Sequence, residues 1–146
     1  MVTTFSAVIL KSKSAHIFHV GDSRIYRLRG RELTQITRDH CMSFTKDKAV
    51  LTSALGMDAR LSVDYSRIDA EVGDVLLLTT DGLTNVLKAE TLSAALRENI
   101  ERCETLDAAA QALCEQALKR GADDNVTCGI VAVSYTHLTL PTNREV

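Results

Sequence analysis

The sequence has very little proline. A single Pro in 146 residues, with no low-complexity run, speaks against a disordered or linker-rich chain. Strong charge of either sign is missing too. The 17 basic and 19 acidic residues leave a net charge of −2, so no overall field draws the chain to nucleic acid or to an anionic membrane. No apolar stretch approaches the roughly 20 residues needed to cross a bilayer. The opening Met1 to Phe18 has no basic region ahead of its first apolar run, and lysines follow at once, so it does not read as a signal peptide and the expected location is cytoplasmic. Cys41, Cys103, Cys114 and Cys128 form no CxxC pair, which removes the usual zinc spacing and leaves four reduced thiols. What remains is a soluble globular balance, 45% hydrophobic and 25% charged, at a length suited to one domain.

The first half of the chain is rich in short β-prone runs. Val2 to Leu10, Ala15 to Val20, Ile25 to Leu28 and Leu33 to Ile36 read as strands separated by Lys11-Ser12-Lys13-Ser14, Gly21-Asp22 and Arg29-Gly30-Arg31. Connections this short leave no room for parallel crossovers, so an antiparallel meander is expected. Thr45 is a candidate cap for a short helix running from Phe44-Thr45-Lys46-Asp47 through Ala54, with Gly56 ending it. Ser62 to Ile68 alternates as a strand, and the continuous apolar run Val75 to Thr80 is the candidate for a buried central strand.

Two helices follow. Leu92, Ala95, Leu96 and Ile100 mark the apolar face of one. Leu106, Ala109, Ala110, Leu113, Ala117 and Leu118 mark the other, with Thr105 as N-cap and Gly121 just past its end. A last β-rich run covers Asn125 to Val133. Short strands, two adjacent helices and a closing strand give an α+β fold with antiparallel sheets.

Three acidic corners are the candidates for chemistry. Asp22 follows Gly21 after a strand, Asp81 precedes Gly82 after the apolar run, and Asp124 lies between Gly121 and the last strand. A strand fixes the backbone, and a small neighbour allows close approach. Carboxylates gathered at one sheet edge would need a cation between them, and Mg²⁺ and Mn²⁺ favour oxygen ligands. An Asp beside a Gly is equally an ordinary turn former. Separations of 59 and 43 residues say nothing about convergence, so the pattern alone leaves function open. His16 and His19, three apart on a strand, point to opposite faces and do not share a metal. Ser23 has no GxSxG setting and no partner base. Arg27, Arg29 and Arg31 read as a solvated face.

Particular motifs narrow this. Gly21-Asp22-Ser23-Arg24, Thr37-Arg38-Asp39-His40, Leu51-Thr52-Ser53-Ala54-Leu55-Gly56, Gly73 to Leu83 with Thr80-Asp81-Gly82, and Gly121-Ala122-Asp123-Asp124-Asn125-Val126-Thr127 together resemble the PPM/PP2C family of metal-dependent serine/threonine protein phosphatases. The resemblance runs in order from about Met1 to Val133, and His16 to Leu28 is similar to bacterial members, some fused to a protein kinase.

It implies a β-sandwich of antiparallel sheets flanked by helices, with a binuclear Mn²⁺ or Mg²⁺ centre at one end. On the matching motifs, Asp81 and Asp124 become ligands of the first metal, and Asp22 helps Asp81 hold a weaker third one. Asn125 supports Asp124, while Gly21, Gly82, Ser23 and Arg24 take structural roles at the corners, and His40 a hydrogen-bonding role in a turn. The implied partners are proteins phosphorylated on Ser or Thr, and a cognate or fused Ser/Thr kinase in a signalling system. The family's Asp-Gly-x-Gly-Gly segment, its Asn-Glu-Asp-type segment, its phosphate-binding arginine and its general-acid histidine have no counterpart in these 146 residues. The expectation is therefore the C-terminal half of a phosphatase domain over residues 1–133, from an incomplete gene or late start codon and inactive alone. Residues 134–146 resemble a translated sequencing-adapter string. The competing readings are a non-catalytic regulatory or binding module built on the same fold, and an unrelated α+β domain.

Overall fold

The computed structural model describes residues 3–45, 48–51 and 62–134. The expected features at Thr52 to Gly56 and in the tail beyond Ser134 lie outside the described residues. Within them the chain forms nine strands and three helices, in two compact units. The chain passes between the units at Ser23/Arg24, Ile36/Thr37, Asp74/Val75 and Ala132/Val133.

The first unit contains β1 (Phe5–Lys11), β2 (Ser14–Val20) and β7 (Asp64–Asp69) in a three-stranded antiparallel sheet ordered β1-β2-β7. β1 and β2 form a tight hairpin from Phe5 opposite Val20 to Lys11 opposite Ser14, with Ser12 turning at φ +53°. Ala15, Ile17 and His19 alternate along β2 into the buried face. On the other face Phe18 lies opposite Tyr65, and the His16 and Tyr65 rings stack with centroids 6.0 Å apart. His16 and His19 thus occupy opposite faces, as their spacing predicts. The same unit holds the hairpin of β5 (Cys41–Thr45) and β6 (Lys48–Leu51).

That hairpin replaces the helix expected from Phe44. Backbone groups pair across a ladder from Cys41 opposite Leu51 to Thr45 opposite Lys48. Phe44, Thr45 and Val50 are β-prone, and in so short a segment pairing across a hairpin overrides a lone cap signal.

The second unit is a four-stranded antiparallel sheet ordered β4-β3-β8-β9, made of β3 (Arg24–Arg29), β4 (Glu32–Gln35), β8 (Val75–Thr79) and β9 (Cys128–Ala132). Three helices accompany it: α1 (Asp81–Thr84), α2 (Ala89–Arg102) and α3 (Leu106–Lys119). The expected meander is therefore broken at Gly21 to Ser23, because β2 and β3 pair into different sheets. β8 is central, between β3 and β9, as its apolar run predicts. Leu77 packs into the helix-side core with Tyr26, Leu28 and Val75, while Leu76 on the opposite face is also buried. Burial on both faces explains why the strand is unbroken apolar rather than alternating.

Leu92 and Leu96 of α2 and Leu113 and Ala117 of α3 complete that core, all fully buried. Leu118, assigned to the same stripe, is 58% exposed, since the buried face turns through Ala109, Leu113 and Ala117 instead. The Thr105 hydroxyl caps α3 by accepting from the Ala108 N–H at 3.1 Å. Its far end is a Schellman turn. Gly121 at φ +89° lets its N–H bond the Leu118 carbonyl while the Ala122 N–H bonds that of Ala117, each at 3.1 Å. This turn directs the chain toward Asp124.

Candidate metal centre

Asp81 sits where β8 ends and α1 begins, and Asp124 in the turn between α3 and β9. Separated by 43 residues in sequence, their segments are bound side by side. The Thr80 N–H donates to the Thr127 carbonyl at 3.0 Å, and the Thr127 N–H donates to the Thr80 Oγ1 at 3.1 Å. The Thr79 hydroxyl adds a bond to the Thr127 carbonyl at 3.2 Å. Thr80 Oγ1 also lies 3.5 Å from the Asn125 carbonyl. β9 accordingly begins at Cys128 rather than at Asn125, with the Thr127 N–H held by the Thr80 side chain instead of by a strand partner.

Gly82 sets the closeness of this contact. A methyl group there would overlap the Asn125 carbonyl oxygen and reach 3.0 Å from its carbon. The residue after one aspartate thus lies against the residue after the other, and only a missing side chain permits it. Asp81 is half-buried and Asp124 exposed. Asp124 Oδ1 accepts from the Asn125 N–H at 2.7 Å, which fixes the orientation of its carboxyl group. Among the described residues no three His, Cys, Asp or Glu side chains come together as a cage. The corner therefore offers hard oxygen donors from two carboxylate-bearing turns, with backbone carbonyls nearby. That donor chemistry fits Mg²⁺ or Mn²⁺ with open positions left for water.

Asp22 belongs to the first unit, between two anchors. Gly21 turns at φ +112° over Thr4, whose Cβ would be 2.6 Å from any added methyl. Its N–H donates to His40 Nδ1 at 3.0 Å, and its carbonyl accepts from the His40 N–H at 2.8 Å. Ser23 shares a 2.8 Å hydrogen bond with Thr4 Oγ1. Ser23 is thereby joined to Thr4, and His40 hydrogen-bonds this turn through both its ring and its backbone. Arg24 opens β3 and donates to the Tyr26 hydroxyl at 2.8 Å, within the second unit.

Sequence reasoning missed the network behind this turn. Because Gly21 donates to Nδ1, the His40 proton lies on Nε2 and is donated to Asp64 Oδ2 at 2.7 Å. That hydrogen bond holds the Asp64 carboxyl below its usual range, helped by the exposed Arg38 at 3.4 Å. The His19 ring lies 5.0 Å from that of His40, and its Nδ1 shares a 2.9 Å bond with Ser6. Burial first, then the His40 neighbour, pushes the His19 pKa down. The Asp39-His40 pair was the available signal, but nothing in the sequence linked it to Asp64, 24 residues on.

The protein phosphatase 2C family model matches residues 1–120. The serine/threonine phosphatase Stp of Listeria monocytogenes is 31% identical over 93% of this chain. A Streptococcus agalactiae serine/threonine phosphatase structure superposes with a TM-score of 0.80 at 29% identity over 90% of the chain. The catalytic domain of the serine/threonine protein phosphatase PstP, solved in complex with two manganese ions, gives 0.79 at 31% over 92%. The chain covers 58%, 59% and 60% of these three proteins respectively. No helix among the described residues is long and apolar enough to cross a membrane. With a matching family model over most of its length, and the motifs of the two aspartate corners packed together, this chain belongs to the protein phosphatase 2C family.

Proposed function

We propose that this chain forms part of a bacterial protein-serine/threonine phosphatase domain, in which Asp81 and Asp124 hold a divalent cation. The carrying observation is the contact of Gly82 on the Asn125 carbonyl, which joins the two aspartate-bearing turns. Asp22 is assigned as a further metal ligand on its motif, with its turn held by Thr4 and His40. The two manganese ions in the PstP catalytic domain support a binuclear Mn²⁺ or Mg²⁺ centre in the full-length protein.

A metal pair supplies a water acidified for in-line attack and a clamp on the phosphoryl oxygens. The chain's own contribution is positional. Thr80 and Thr127 fix the spacing of the turns, and Asn125 orients the Asp124 carboxylate through its N–H. The substrates under this reading are proteins phosphorylated on Ser or Thr, a cognate Ser/Thr kinase is the counterpart enzyme, and the location is cytoplasmic.

Mn²⁺ titration followed by electron paramagnetic resonance tests the ligand assignment directly. The free-ion signal should fall on adding the chain, and Asp81→Asn or Asp124→Asn should restore it while leaving the circular dichroism unchanged. Unaltered Mn²⁺ binding in both variants would defeat the assignment. Stoichiometric binding without phosphopeptide hydrolysis by a full-length domain would point to a regulatory module on the same fold.

A further inference from the structure

Two thiols outside the metal centre lie in contact. Cys114, on α3, and Cys128, the first residue of β9, bring their Sγ atoms to 3.6 Å. Both residues are half-buried, so neither is sealed in the core. A disulfide needs its sulfurs at about 2.05 Å. The remaining gap of about 1.5 Å is of the size that rotation about two χ1 bonds closes. The segment between the two cysteines contains the Schellman turn at Gly121 and then Asp124 and Asn125.

We infer that Cys114 and Cys128 form a peroxide-sensitive dithiol, whose oxidation to a disulfide clamps the loop that carries Asp124. The sulfur chemistry stands apart from the phosphatase reading, and only its consequence for metal binding rests on that reading.

The two cysteines take different parts. Burial, and next the Cys114 sulfur, push the Cys128 thiol up to about 12, and its S–H reaches the Ala110 carbonyl at 3.4 Å. The raised thiol pKa disfavours Cys128 as the attacking sulfur, which leaves Cys114 for that part. As thiolate, Cys114 attacks one oxygen of hydrogen peroxide and the O–O bond breaks. This leaves Cys114 as a sulfenic acid, and the departing hydroxide takes a proton to become water. The Cys128 sulfur then displaces hydroxide from the Cys114 sulfur, giving up its proton as the S–S bond forms, so a second water leaves. Two thiols lose two electrons, and one peroxide becomes two waters. Cys103, at the C-terminal end of α2, provides an internal comparison.

The test treats the native 146-residue chain with hydrogen peroxide, alkylates the remaining thiols and sequences the peptides by tandem mass spectrometry. A Cys114–Cys128 cross-link should form in the wild type and in Cys103→Ser, and be absent in Cys114→Ser and Cys128→Ala. It should reverse with dithiothreitol. Hydrogen exchange at residues 121–127 should slow by about tenfold or more in the oxidised chain. Both thiols remaining free to alkylate, linkage through Cys103, or a disulfide that leaves exchange in the loop unchanged would each overturn the inference. Neither readout involves metal or phosphate, so a failure here leaves the metal assignment standing, and the reverse also holds.

Discussion

At Gly82 a side chain has nowhere to go, because its Cβ would enter the Asn125 carbonyl. Gly82→Ala should therefore push the Asp81 and Asp124 turns apart. The expected cost is about 1–3 kcal/mol in a urea titration, together with weaker Mn²⁺ binding. Full retention of both would show that the contact does not set the site. A second prediction comes from His19. Burial and the His40 neighbour lower its pKa, so the unfolded chain binds the proton more readily than the folded one. Its contribution is complete above the ordinary histidine pKa of about 6.5 and is lost as pH falls through the lower folded value. The urea midpoint should drop on acidification below about pH 6.5. His19→Gln should flatten that slope, and an unchanged slope would remove His19 as its cause. The aspartates stand out as candidates because each sits beside a motif readable in one short window. Their supports do not. Thr80 and Thr127 bond across 47 residues, and no local spacing encodes which distant hydroxyl a backbone N–H will find.

Among the elements, those whose sequence carries its own periodicity were foreseen and those decided by a distant partner were not. The stripe of α2, the Ala109, Leu113 and Ala117 part of the α3 stripe and the Thr105 cap are local, and they appear where expected, while Leu118 falls outside the buried face. The β5–β6 hairpin and the division of β2 and β3 between sheets depend on which strand each one meets, which short apolar runs leave undetermined. The packing of α3 supports a sharp expectation. Leu113 is fully buried against the sheet, so Leu113→Ala should lower stability by about 2–5 kcal/mol. Thr105→Ala, losing one capping bond at an exposed helix start, should cost about 1 kcal/mol. A denaturant series giving Leu113→Ala the smaller effect would invert the picture of what holds α3 in place.

For the whole molecule, the share of its relatives that the chain covers bears on what this polypeptide can do alone. The sheet of the first unit presents Phe5 at 46%, Ile9 at 54% and Tyr65 at 55% exposure, all on the face that also carries Phe18. An apolar sheet face of this kind favours self-association. The 146 residues also supply two carboxylate turns at the Asp81 corner, with no third ligating side chain beside them among the described residues. One loosely held cation cannot both orient an attacking water and neutralise the phosphoryl oxygens as a pair does. With excess Mn²⁺, the 146-residue polypeptide should thus release phosphate from a phosphothreonine peptide at least about a thousandfold more slowly than a full-length domain. In that domain Asp81→Asn should abolish turnover while preserving the fold. Fast metal-dependent hydrolysis by the 146 residues, lost in Asp81→Asn, would instead mean that they contain a sufficient catalytic centre.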